Sequence, residues 1–154
     1  MVKLKARINT FKSDDGSSYF TQCCLILGDV TVGDYDQLML AGALDVAIKD
    51  LFNRAKINKP IQSTTSNLKE KIEEAEANTR NSYLPIGVES FDGDFAGFVR
   101  INNHESMAIK LWREENPSLL DISESNYIKF MHDLRETLAK QCKALGLNLD
   151  RDSA

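Results

Sequence analysis

The chain of 154 residues has 42% hydrophobic and 27% charged residues, with 23 acidic against 19 basic side chains and a formal net charge of −4. A length close to that of one typical domain, together with this composition, indicates a single folded domain over residues 1–154 with a buried core. The mild acidity argues against direct binding of nucleic acid, because nucleic-acid binders need a basic face that neutralises phosphates.

The first residues predict an antiparallel sheet. Residues 3–9 alternate between polar or basic and apolar side chains, which is the pattern of a half-buried strand. A polar Asp-Gly turn favours a hairpin to a second strand over residues 19–27, which is rich in aromatic and branched side chains. A tight turn at Gly28 and Asp29 then leads to a short third strand over residues 30–32.

Helical spacing begins after these strands. Apolar side chains between residues 40 and 52 fall on one stripe, so we expect an amphipathic helix with Asp36 as its N-cap. Residues 58–80 are polar and charged and are predicted to form a helical insertion. Its surface helix, over residues 68–79, has few apolar side chains to anchor it to a core.

The second half repeats the change from strand to helix. Strands are predicted over residues 83–91, 95–101, 107–112 and 119–122, with turns at residues 92–94 and 102–104. An amphipathic helix from residue 125 to 142 follows, Gly146 ends it, and residues 147–154 are expected to fray. These elements predict an α+β fold with a mostly antiparallel sheet of about five to seven strands, two packed amphipathic helices and one charged surface helix.

The sequence contains no recognisable catalytic, cofactor-binding or metal-binding constellation. His104 and His132 have no ligand partners at metal-site spacing, and the glycines do not form a phosphate-binding loop. Cys24 with a histidine would be a nucleophile pair, but its place in the middle of a strand favours core packing. We therefore predict a protein that is not an enzyme and has no cofactor or metal; a hydrolase that uses Cys24 is a third alternative.

The cellular compartment is predicted from features that the sequence lacks. No apolar run approaches the roughly 18 residues that a membrane-spanning helix needs. The first residues lack the apolar segment of a secretory signal, and the three cysteines lack the spacing of a zinc site. We expect a cytoplasmic protein without membrane contact, whose thiols are buried or inert.

Acidic residues are concentrated in the predicted turns. Between residues 86 and 126 there are eight acidic residues and three basic ones, and five further aspartates occupy the first three turns. Ordinary solvation of loops accounts for such a distribution. The alternative is an electronegative surface that is attracted to a basic protein and covers its active site.

Two stretches resemble the immunity proteins of bacterial polymorphic-toxin and contact-dependent growth-inhibition systems. One is the hairpin over residues 25–36 with the helix that continues to residue 52. The other comprises residues 89–99 and 109–113, with a closing helix over residues 127–142. The resemblance implies a small cytoplasmic inhibitor that binds one cognate toxin domain, which is often a nuclease.

This resemblance implies a binding partner for the acidic turns, namely the toxin domain. We expect them to dock over the basic cleft of the toxin and to exclude its nucleic acid. The candidate contacts are Asp29, Asp34, Tyr35, Asp36, Asp92 and Asp94, with Tyr35 as an aromatic anchor. The alternative is a phage or plasmid accessory protein that scaffolds an assembly by homo-oligomerisation through the helix over residues 68–79.

Overall fold

Two four-stranded sheets and three α-helices make up the computed structural model, which describes residues 2–149. The prediction of an α+β fold with two packed amphipathic helices is confirmed. Within the described residues all strand pairs except one are antiparallel. The strands number eight in this part of the chain and are divided between two sheets, so the predicted sheet of about five to seven strands is corrected.

The first sheet is built around one long hairpin. Strand β1 (Leu4–Lys12) pairs with β2 (Tyr19–Leu27) along its whole length, as the alternating pattern predicted. Two short strands, β3 (Val30–Val32) and β4 (Met39–Leu40), share the other edge of β2. β4 was not predicted from the sequence, because a strand of two residues has no detectable period.

Helix α1 (Ala41–Ala55) starts directly after β4. Asp36 is therefore not its N-cap, since a strand lies between that residue and the helix. Leu40 occupies the cap position in an extended conformation and offers no side-chain hydrogen bond to the first turn. Tertiary packing of the apolar stripe, which buries Leu44, Ile48 and Leu51, holds the helix without a capping side chain.

The second sheet has the strand order β5-β6-β7-β8. Its strands are β5 (Ile61–Gln62), β6 (Phe95–Ile101), β7 (His104–Lys110) and β8 (Ser118–Leu120). The predicted turn between the two central strands is confirmed: Asn102 and Asn103 have positive φ angles of 52° and 64°, as a two-residue hairpin turn requires. β5 and β6 form the single parallel pair within residues 2–149.

Residues 58–80 belong to this second sheet instead of standing apart from it as an insertion. β5 pairs with Val99 and Arg100 of β6, and helix α2 (Leu68–Glu76) buries Ile72 and Ala75. These two side chains share a hydrophobic cluster with three residues of the second sheet, Phe95, Val99 and Ala108. The few apolar side chains of α2 are enough to cover this face of the sheet.

The strand predicted over residues 83–91 is wrong. The segment is a loop that ends in a short 3-10 helix, Glu89–Phe91, although most of its apolar side chains are buried. Pro85 has no N–H for a ladder, and Gly87 has a φ angle of 83°, which a strand does not allow. The side chains of this segment are buried like those of a strand, but its backbone does not pair in a sheet. Its composition therefore predicted a strand where the structure has a loop.

Helix α3 (Glu124–Ala144) closes the fold. The Ser123 hydroxyl accepts a hydrogen bond from the N–H of Asn126, and Gly146 ends the helix with a φ angle of 95°. Leu147 and Leu149 pack against the main core, so the predicted frayed tail does not begin at residue 147. Residues 150–154, the rest of that tail, lie outside the described residues.

The main core lies between the two sheets and the helices α1 and α3. A buried ion pair joins the helices: Arg135 Nε donates to Asp45 Oδ1 at 2.9 Å, and both side chains are less than a tenth exposed. The second sheet is covered on both faces, by the main core and by α2. The first sheet packs only its inner face on the core.

Candidate functional site

A groove of about 550 Å³ opens where three loops meet: the turn after β3, the loop before β6 and the loop after β7. Its charged and aromatic lining consists of Asp34, Glu89, Asp92, Asp94, Trp112 and Arg113. Three of the six predicted contact residues, Asp34, Asp92 and Asp94, are therefore brought together. The groove carries four carboxylates and one guanidinium, so it is acidic overall.

Asp94 fastens the three loops to one another. Its Oδ2 accepts a hydrogen bond from the N–H of Gly33 at 3.2 Å, and its Oδ1 accepts one from the N–H of Trp112 at 3.1 Å. Hydrogen bonds to a charged acceptor are stronger than those between neutral groups. Asp94 therefore positions the walls of the groove, and its carboxylate is less available to a partner than those of its neighbours.

A second set of bonds fixes the turn after β3. The N–H of Asp34 donates to the carbonyl of Ser90 at 2.7 Å. The Ser90 hydroxyl lies 2.5 Å from the carbonyl oxygen of Cys23 and 2.9 Å from that of Asp34. Gly33 has a φ angle of 93°, and a Cβ there would lie 2.7 Å from the Phe91 ring. The acidic turn is thus locked onto the protein before any partner arrives.

Glu89, Trp112 and Arg113 are the charged and aromatic groove residues that the sequence did not predict as contacts. Trp112 was assigned to a strand, but β7 ends at Lys110 and the indole is 67% exposed. It packs over the backbone of Gly93, where a Cβ would lie 2.9 Å from the Cβ of Trp112. A large aromatic side chain left in water beside charged groups is typical of a binding surface. The signal in the sequence was the run of charged residues that directly follows this tryptophan.

The other three predicted contacts lie outside the groove. Asp29 is exposed in the turn between β2 and β3, next to Gly28, whose N–H donates to the carbonyl of Lys3. Asp36 is exposed, and its N–H donates to Asp34 Oδ1 at 3.0 Å. The ring of Tyr35 stacks on the guanidinium of Arg7, with its centroid 3.9 Å from the Cζ atom. Tyr35 is therefore not an anchor in the groove.

The three cysteines are buried and free, as the sequence predicted. Burial raises the pKa of the Cys23 thiol to about 12. Burial also raises the pKa of Cys24, although the nearby Arg7 acts in the opposite direction. A thiol nucleophile needs a lowered pKa and access to its substrate, and Cys24, with 3% of its surface exposed, has neither.

These thiols provide a prediction. At pH 8 the native protein is expected to react with Ellman's reagent at well below one thiol per chain, because burial excludes the reagent from all three thiols and a raised pKa lowers the thiolate fraction of Cys23 and Cys24. In denaturant all three thiols are expected to react. The absorbance of the thiolate that the reagent releases measures the number of reactive thiols in the native and in the denatured protein. Fast reaction of one native thiol that Cys24→Ser abolishes would support the hydrolase alternative.

Both histidines lie at the surface. His104 Nε2 lies 3.8 Å from a carboxylate oxygen of Asp121, and His132 stacks on Phe52 with ring centroids 3.8 Å apart. Over residues 2–149 no group of three or more His, Cys, Asp or Glu side chains is placed to hold a metal ion. No helix in the same part of the chain is long and apolar enough to cross a membrane.

Comparison with known proteins gives no match: no family model, no curated protein and no solved structure matches the chain. The groove is therefore interpreted from its own chemistry. It offers exposed carboxylates and an exposed indole on loops that are already held in place. This combination suits the binding of cationic side chains through ion pairs and aromatic contact.

Proposed function

We propose that the protein is a cytoplasmic immunity protein that binds one cognate toxin domain, a nuclease, and neutralises it by covering its basic active-site cleft. The observation that supports this most is the groove, in which the acidic turns around Asp34 and Asp92 meet beside the exposed Trp112. The proposal combines this observation with the resemblance of the sequence to immunity proteins.

Electrostatics explains how such an inhibitor would act. A nuclease holds its substrate through basic side chains that neutralise phosphates, so an acidic surface competes for the same charges. Opposite charges also accelerate the encounter of the two proteins. A central aromatic side chain surrounded by polar groups is the usual arrangement of a binding hot spot, and this is the place of Trp112.

Co-expression with the product of the gene immediately upstream tests the proposal. The expected results are a stable complex on co-purification and protection of cells from that product. The product alone is expected to degrade nucleic acid, and the complex is expected to leave it intact. A product that is neither bound nor neutralised would contradict the proposed function.

Charge reversal in the groove is the sharper prediction. The double substitution Asp34→Lys and Asp92→Lys is expected to weaken the complex by about 100-fold, because two carboxylates would become like charges facing a basic partner. Trp112→Ala is expected to cost about 2 kcal/mol of binding free energy. Calorimetry with the purified toxin domain measures both. Asp133→Lys, an exposed change on α3 away from the groove, is the control and should change affinity by less than about threefold.

A further inference from the structure

The first sheet has an outer face that faces away from the main core. Along β1 and β2 every second side chain packs on the core, among them Ile8, Cys23 and Leu25. Because side chains of a strand alternate between faces, the remaining ones form the outer face. The outer residues that matter here are Lys5, Arg7 and Phe11 of β1, Phe20 of β2 and Leu40 of β4. Cys24, the pairing partner of Arg7 on the same face, is buried, so the middle of the face is already covered next to the Tyr35 ring.

Three large apolar side chains cross this outer face in a row. Phe11 lies directly opposite Phe20, with ring centroids 6.1 Å apart, and Phe20 also lies opposite Leu40. Among the described residues, this apolar row belongs to neither hydrophobic cluster, and Leu40 is 53% exposed. The solvated face of an antiparallel sheet is normally polar, so an apolar row there is typical of an interaction surface.

The two borders of the outer face carry opposite charges. Lys5 and Arg7 lie on β1, at one border, where the ring of Tyr35 from the segment after β3 already stacks on the Arg7 guanidinium, so Lys5 is the basic group that a partner would meet. Asp29 and Asp36 are exposed on the other side, in the segments that precede and follow β3. These two aspartates are acidic turn residues that the groove does not include. The outer face is therefore basic at one side, apolar across its row and acidic at the other side.

We propose that two copies of this chain pack together through their outer faces, related by a two-fold axis parallel to the strands. This axis places the β1 side of each copy over the β3 and β4 side of the other, so basic groups face acidic groups. It also brings the two apolar rows together, with Phe20 at the centre. A two-fold axis perpendicular to the strands would place β1 of one copy over β1 of the other, so the basic border would not meet the acidic border.

The same observations favour a second copy over other occupants. Single-stranded nucleic acid binds aromatic and basic sheet faces, but the acidic border would repel its phosphates. The face measures roughly 30 Å by 15 Å from strand rise and spacing. This is small compared with the roughly 800 Å² per partner of a standard interface, so the dimer is expected to be reversible and to dissociate in the micromolar range.

Sedimentation velocity over a range of protein concentration tests this dimer. The wild-type protein is expected to change from monomer to dimer as its concentration rises. Leu40→Asp is expected to weaken the dimer at least about tenfold, because it puts a charge into the apolar row. The same change supplies the N-cap that α1 lacks, so the monomer is expected to stay folded and to melt at a higher temperature.

Two further variants separate this surface from others. Val46→Asp is the matched control, since Val46 is 65% exposed on α1 and lies outside the sheet, and it should leave the dimer unchanged. Lys5→Glu should weaken the dimer, and adding Asp29→Lys should restore it, because the border charges are exchanged together.

Three results would overturn the proposal. The first is a chain that remains monomeric at about 1 mM, far above the dissociation constant expected for such an interface. The second is a Leu40→Asp variant that associates as strongly as the wild type. The third is a dimer that is broken by Glu73→Lys on α2 and not by Leu40→Asp, which would instead support assembly through the helix over residues 68–79.

Discussion

Replacing Arg54 with methionine is expected to lower the free energy of unfolding by about 3–5 kcal/mol. Arg54 is only 1% exposed, at the end of α1. Its Nε donates to Asp50 at 2.9 Å, and its other nitrogens donate to the buried carbonyls of Ser82 and Leu84. Methionine fills similar space but leaves these carbonyls without a donor, and each unsatisfied buried group costs about 1–3 kcal/mol.

Urea denaturation followed by circular dichroism measures this loss. Arg80→Met is the matched control, because Arg80 contacts the same carboxylate of Asp50 at 3.2 Å but is 59% exposed. An exposed ion pair contributes less than about 1 kcal/mol, so this control should change stability little. Equal effects of the two substitutions would show that the contacts of Arg54 with the loop over residues 82–84 do not stabilise the fold.

Replacing Asp94 with alanine is expected to cost about 2–3 kcal/mol of stability and to disturb the groove. The substitution removes both hydrogen bonds of the carboxylate, to the N–H of Gly33 and to that of Trp112. The three loops then lose their common link, and the indole loses its fixed position. Trp112 is the single tryptophan of the chain, so its fluorescence spectrum and anisotropy report this change directly.

Two variants separate the role of Asp94 from its charge. Asp92→Ala removes an equal charge from the same turn, at an exposed position, and should leave both stability and fluorescence nearly unchanged. Asp94→Asn keeps one carbonyl acceptor and should lose about half of the stability that Asp94→Ala loses. If Asp92→Ala has the same effect as Asp94→Ala, electrostatic repulsion in the groove, and not the hydrogen bonds, controls the loops.

Local patterns predicted the parts of the fold that depend on local physics. The β1–β2 hairpin, the turn at Asn102 and Asn103, and the stripes of α1 and α3 follow from alternation, turn chemistry and helical spacing. The division into two sheets was not predictable in this way. It depends on β4 and β5, which have two residues each and are recognised only by their pairing with distant strands.

The loop before β6 shows a second limit of structure prediction from local sequence patterns. Its composition predicts a strand because its apolar side chains are buried, but at its start the carbonyls of Ser82 and Leu84 accept hydrogen bonds from a side chain of α1, about 30 residues earlier, and not from a neighbouring strand. Propensity describes what a residue prefers locally, whereas Arg54 supplies hydrogen bonds that only the tertiary structure brings near. No pattern within residues 83–91 carries that information.

The candidate site was predictable only as separate pieces. Both acidic turns were found from the sequence, but nothing in it showed that Asp94 would bind the N–H of Gly33 across 61 positions. Neighbouring side chains of the turn after β3 also point in different directions: Asp34 lines the groove, whereas Tyr35 stacks on Arg7. Sequence neighbours in a tight turn often face different surroundings, so proximity along the chain does not establish a shared surface.

The unequal burial of the two sheets has a consequence for how related sequences would differ. Five of the seven residues of β6 are buried, because both of its faces are covered. A charged side chain at one of these buried positions would destabilise the fold, so the sequence of β6 should vary little among relatives. β1 leaves every second position to solvent along most of its length. Substitutions can accumulate in the groove loops, and on the exposed side of β1 where they preserve the proposed contact between two copies, while the second sheet preserves the fold that presents both surfaces.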